Sequence, residues 1–242
     1  MKNAEKKVWG MISPPIIYFF MQISIEVVLA LFVFVKQMIK YNSLYNKVDN
    51  SVELQAQMQN TLIDNASYIS CIAALIAAIV FGMKYYKSIH EGIFEKEKKV
   101  IINDMVIPIL LAAVVSILLS TVLAFMKLDN IYGSYEATKS SLLSGNIIYR
   151  IISVGVIVPL AEEYVYRGVM YNRIKNEFGY FGAIFFSALS FGLFHFNLLQ
   201  GVYAFGIGLM FAYFYEKYGN IKVPASMHMS VNIVAIIVDY YL

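Results

Sequence analysis

Seven runs of about 20 mostly apolar residues follow one another along the chain, at roughly 14–35, 67–86, 105–126, 146–170, 180–197, 200–217 and 222–242. A run of that length crosses a bilayer as a helix, because a helix satisfies its own backbone polar groups where no water can reach them. The composition agrees: 60% of the residues are hydrophobic and only 14% are charged, whereas about a quarter are charged in an ordinary soluble domain. So few polar side chains could not cover a water-facing surface, and the surplus apolar ones must face lipid. The expected fold is an all-α, polytopic transmembrane helical bundle of about seven spans, or eight if a half-inserted segment escapes the count. It forms a single membrane domain over 1–242, with the fourth run continuing as an amphipathic helix to about 177.

Basic residues alternate between the loops in a way that orients the bundle. One set holds Lys2, Lys6, Lys7, Lys84, Lys87, Lys96, Lys98, Lys99, Arg167, Arg173, Lys175, Lys217 and Lys222; the other holds Lys36, Lys40, Lys47, Lys127, Lys139 and Arg150. Thirteen against six places the amino terminus in the cytoplasm by the positive-inside rule. The chain is therefore expected to be a multi-pass protein of the cell membrane. The same scatter of Lys and Arg between apolar blocks excludes a nucleic-acid surface, despite a net charge of +3. Cys71 is the only cysteine, so neither an internal disulfide nor a cysteine-rich zinc cage can form. The first run is too long for a signal-peptide core and reads as a retained anchor that also spans. The polar stretch from Tyr41 to Ser67 is expected to be a solvated external connector.

Ionisable side chains inside a membrane cost about 2.5 to 3.5 kcal/mol each on insertion scales, so a cluster of them points to function. The first part of such a cluster is Glu162-Glu163-Tyr164-Val165-Tyr166-Arg167-Gly168, closing the fourth run. Adjacent helical residues point about 100° apart, so the two glutamates cannot share one task. Glu163 and Arg167 stand at i and i+4 with the acid first, the favourable order for a helical ion pair. Glu162 is left on another face without a sequence-adjacent partner, which makes it the candidate base for activating water.

The second part is Phe191 to His195 in the fifth run. If the chain turns near Phe178-Gly179, Glu162 and His195 lie equally far from that turn, about 25 Å at 1.5 Å per residue, and so at one level. The third part is His228 with Asn232, which share a helical face at i and i+4 and could donate hydrogen bonds to an oxyanion. His228 stands only about 10 Å beyond its own turn. It reaches the level of His195 only if the hairpin between the fourth and fifth runs projects into the cytoplasm.

Each part alone has an ordinary explanation. A Glu-Glu pair can be a solvated helix end, and a membrane histidine or asparagine can be an interhelical contact. What points to chemistry is that all three occur in order on three apolar runs, the first two in register. His90 lies in a charged loop and carries no assigned role. Glu26, in the first run, is expected to face the bundle as a polar contact.

At these residues the chain resembles the CPBP family of intramembrane proteases, which includes type II CAAX prenyl endopeptidases and bacterial proteins of the abortive-infection or bacteriocin-immunity type. The resemblance covers roughly Arg150 to Asn232 and rests on three signatures: Glu162-Glu163 with Arg167, Phe191 with His195, and His228 with Asn232. One departure is Tyr166, where many members carry Phe. The resemblance implies a catalytic core at about 146–242 and hydrolysis of a peptide bond by a water that Glu162 and His195 activate. His228 and Asn232 would hold the oxyanion, and Arg167 would organise Glu163.

Glu162, His195 and His228 would also make an adequate zinc triad with an open position. The His-Glu-x-x-His helix is absent, and a metal-free glutamate–histidine pair would work on similar geometry, so both routes stay open. The expected partners are the lipid bilayer and a membrane-associated peptide or protein substrate. The contrasting reading is a non-catalytic membrane scaffold or regulator of the same fold. A transporter would call for paired broken helices or inverted repeats, which the sequence lacks.

Overall fold

The computed structural model describes residues 2–42, 51–125 and 147–241. Among these the regular structure is helical throughout: α1 (Lys2–Asn42), α2 (Ser51–His90), α3 (Ile102–Phe125), α4 (residues 147–178), α5 (residues 180–193), α6 (Leu198–Tyr218) and α7 (Lys222–Tyr241). Each expected run has its helix. Five of the helices, α1, α2, α3, α6 and α7, are apolar and long enough to cross a membrane on their own. The other two fall short for different reasons: α4 carries the ionisable cluster, and α5 is short.

Two expectations need correction. The stretch from Tyr41 to Ser67 is not simply a connector, because α1 runs to Asn42 and α2 already begins at Ser51. Residues 51–67 contain no glycine or proline, so nothing stops the helix from extending beyond its apolar part. Residues 43–50 of that stretch lie outside the described residues. Arg167, counted above as a loop charge, is instead fully buried in the bundle. Removing it leaves twelve against six, so the charge bias keeps its sign.

Helix α4 runs through the middle of the bundle, against α1, α2, α5, α6 and α7, while α3 packs on α7 and α5 on α6. One buried cluster joins α1, α2, α4, α5 and α6 around Phe81, Tyr85, Val165, Val169 and Phe191. A second joins α3, α6 and α7 around Ile207, Phe211 and Met227. The turn between α4 and α5 sits at Gly179, whose φ of 71° is a conformation that glycine adopts without steric cost. Helices α5 and α6 then cross so closely that a Cβ on Gly192 would stand 2.6 Å from the Gly201 carbonyl oxygen.

The face bearing the amino terminus is tied together by polar contacts. Lys7 pairs with Glu177 at 2.9 Å, Arg173 donates to the Gly10 carbonyl, and Lys175 reaches both Glu216 and Glu95. The segment after α2 is bound to the α6–α7 turn: the Lys98 amide donates to the Gly219 carbonyl, and Asn220 donates back to the Lys98 carbonyl. On the opposite face, buried Arg150 pairs with Asp239 at 2.9 Å.

Candidate active site

The winding of α4 is irregular where the chemistry lies. It opens to π-helical geometry over Ile151–Ile157 and again over Tyr164–Tyr171, with α-helical Val158–Glu163 between; such widenings recur at functional sites. Pro159 explains one consequence. The Val158 amide bonds five residues back to the Ser153 carbonyl, and the next bond in that pattern would join residue 159 to the Val154 carbonyl. Proline has no N–H to give. The Asn232 side-chain amide supplies the missing donor, 2.9 Å from the Val154 oxygen. At the second widening, Asn172 donates to the Arg167 and Gly168 carbonyls and to the Tyr215 hydroxyl.

Glu163 and Arg167, both wholly buried, form the expected i, i+4 pair at 2.9 Å. The guanidinium also donates to the Gly208 carbonyl at 3.1 Å and lies over the Phe191 ring, 4.8 Å from its centroid. Such a stacked and hydrogen-bonded setting suits arginine rather than lysine. The same Glu163 oxygen, Oε1, accepts from His228 Nδ1 at 2.9 Å. With Nδ1 donating to a carboxylate, His228 turns Nε2 toward Glu162, 3.6 Å from its Oε2. Phe191 and Phe211 pack on the imidazole from two sides. His228 is therefore bracketed by the two glutamates, an arrangement that spacing along the chain could not indicate.

His195 lies just past the end of α5, in the turn before α6, rather than within a helix. Phe196, at a positive φ of 54°, and Asn197, which accepts from the Gln200 amide to cap α6, end the helix there. His195 Nδ1 stands 2.7 Å from the Phe191 carbonyl oxygen. A carbonyl only accepts, so Nδ1 carries the proton and Nε2 of the neutral ring is left with its lone pair.

Glu162 and His195 line one cavity of about 100 Å³, together with Tyr166 and Phe194 and with Tyr18, Phe19 and Gln22 of α1. That volume holds several waters. The register deduced by counting from the turn fits Tyr166 and Phe191, which are equidistant from Phe178-Gly179 and meet edge-to-face at 5.1 Å. His228 and Asn232 do not line the cavity. Sequence reasoning missed the contribution of α1; Gln22, an amide inside an apolar run, was the available signal. Glu26 does face the bundle, accepting a hydrogen bond from Ser70 of α2 at 2.9 Å.

Both histidines anchor Nδ1 and leave Nε2, which is how metal-ligating histidines are commonly held. Among the described residues, however, no three His, Cys, Asp or Glu side chains stand so that they could hold a metal ion. The donor geometry therefore does not fit a zinc triad.

Comparison with known proteins bears on the same segment. Residues 144–234 match the family described as type II CAAX prenyl endopeptidase Rce1-like. The membrane-embedded CAAX protease MroQ of Staphylococcus aureus (strain USA300) is 28% identical over 178 residues, covering 68% of this chain and 70% of that protein. YdiL of Bacillus subtilis (strain 168), named as a candidate membrane peptidase, is 26% identical over 89 residues, 37% of this chain and 36% of its own length. No solved structure matches.

Proposed function

We infer that this chain, a member of the CPBP family of intramembrane proteases by its residues 144–234, is an endopeptidase that cuts a membrane-associated peptide or a terminal segment of a membrane protein. The reading is carried by one observation: Glu162 and His195 border the same water-sized cavity inside an apolar bundle. The face bearing the amino terminus is taken as cytoplasmic from the charge bias, and cleavage occurs near that leaflet.

In the proposed mechanism a water oxygen adds to the scissile carbonyl carbon while the Glu162 carboxylate takes one of the water protons. His195, with Nδ1 fixed on the Phe191 carbonyl, accepts from the same water through Nε2 and orients it. The carbonyl π pair moves onto oxygen, giving a tetrahedral intermediate. As that pair returns, the C–N bond breaks and the proton held by Glu162 passes to the leaving nitrogen. The immediate products are a carboxylic acid, which keeps the second water proton, and an amine; transfer of that proton between them gives a carboxylate and an ammonium ion.

Glu163, held through Oε1 by Arg167 and His228, is assigned to fix the imidazole of His228 beside Glu162. His228 and Asn232 are assigned to steady charge on the α7 side of the site. The route uses water and these side chains alone, without a metal step. The test compares peptide termini in membrane proteomes from cells with wild-type protein and cells with Glu162→Gln. Substrates that stay uncut only in the variant are expected; identical termini in the two sets remove the proposal.

A further inference from the structure

An oxyanion needs donors that face the cavity, and the two residues assigned to it each have a hydrogen bond committed elsewhere. His228 gives Nδ1–H to Glu163, Asn232 gives one amide hydrogen to the Val154 carbonyl, and neither lines the cavity. Tyr166 does line it. This residue stands one helical turn after Glu162, so the two lie on neighbouring positions of one face. It is 2% exposed, and its ring is held edge-to-face by Phe191. It carries the hydroxyl by which it differs from phenylalanine, and that hydroxyl has no hydrogen-bond partner among the described residues.

We propose that the Tyr166 hydroxyl donates a hydrogen bond to the substrate's scissile carbonyl oxygen and to the oxyanion that replaces it, making Tyr166 a catalytic residue of this chain. The inference rests on the peptidase reading above. Tyr166 transfers no proton: water adds to carbon, Glu162 receives the water proton, and the Tyr166 O–H stays intact while its bond to the reacting oxygen shortens as negative charge builds there. A single donor of this type is worth about 10²- to 10³-fold in kcat. The ring, fixed edge-to-face against Phe191, favours that range, because the donor need not reorganise during the reaction.

The test uses full-length protein in detergent micelles and an internally quenched peptide chosen from a library by wild-type cleavage. Tyr166→Phe removes one oxygen and keeps the ring contact with Phe191, so its melting curve is expected to match wild type. Its kcat is expected to fall about 100-fold with KM changed by less than about threefold, and the pH–rate profile to keep its shape. A phosphinic analogue of the cleaved peptide, which carries a tetrahedral anionic centre, is expected to lose affinity by the same factor as kcat/KM.

An unchanged kcat overturns the assignment while leaving the peptidase reading intact. A displaced pH profile without loss of analogue affinity also overturns it, since it would mean that Tyr166 only positions Glu162. A wild-type protein that cleaves no library peptide, and whose membrane proteome matches that of the Glu162 variant, removes both.

Discussion

The two sides of α4 handle charge in opposite ways. On the side facing α6 and α7, Glu163, Arg167 and His228 are closed off from solvent and joined by bonds of 2.9 Å. On the side facing α1 and the α5–α6 turn, Glu162, Tyr166 and His195 border open volume. Within these side chains Glu162 makes no hydrogen bond as short as those of Glu163; the His228 Nε2 stands 3.6 Å from its Oε2. Consecutive residues on one helix thus serve a fixed electrostatic frame and a reactive surface. The lesson is that short contacts to fixed charged and imidazole partners through one oxygen, Oε1, rather than burial alone, separate the structural acid from the reactive one.

The comparison is broken most directly on the cavity side. Glu162→Gln and His195→Ala are each expected to abolish cleavage while leaving the protein inserted and folded, as read by peptide hydrolysis and by melting in micelles. Substantial activity in either would end the division between the two faces. On the closed side the expected effect is on stability. Glu163→Gln leaves the Arg167 guanidinium buried without its counter-charge, which typically costs about 3–5 kcal/mol. Replacing both residues, Glu163→Gln with Arg167→Met, should cost less than the sum of the single changes, and additive losses measured by denaturant titration would deny the coupling.

A smaller effect sharpens the account of the irregular winding. Asn232→Ala orphans the Val154 carbonyl that Pro159 cannot satisfy, and is expected to destabilise by about 1–3 kcal/mol. Installing an N–H at position 159 by Pro159→Ala should recover part of that loss in the double variant. The smallest effect belongs to the surface. Lys7→Ala removes an ion pair whose lysine is 61% exposed, and a shift within about 1 kcal/mol is expected after solvent screening.

Where sequence reasoning succeeded, it worked through periodicity and length. The turn assumed near Phe178-Gly179 lies at Gly179, and with it given, the levelling of Glu162 with His195 follows from rise per residue, so counting could reach it. The Glu163–Arg167 pair was legible for the same reason, being an intrahelical contact. His228 illustrates the failure. Its partnership with Asn232 was inferred from i, i+4 spacing, but the strongest contacts of each are to α4: His228 to Glu163, and Asn232 to the Val154 carbonyl. Spacing within one helix carries no information about which neighbour that helix faces. The hairpin projection that His228 required is consistent with α4 extending alongside the start of α1, where Lys7 and Gly10 meet Glu177 and Arg173.

The sequence by itself determined that the chain is a bundle of membrane-crossing helices with three polar signatures, the first two at one depth, because hydrophobic length and helical rise are local properties. Only the tertiary structure decided which signatures touch, that α1 walls the cavity, and that one glutamate is locked while its neighbour is open. Those outcomes depend on the rotation of each helix about its axis. That rotation is set by close packing at points such as Gly192 against Gly201, and by polar groups seeking partners where no water can serve.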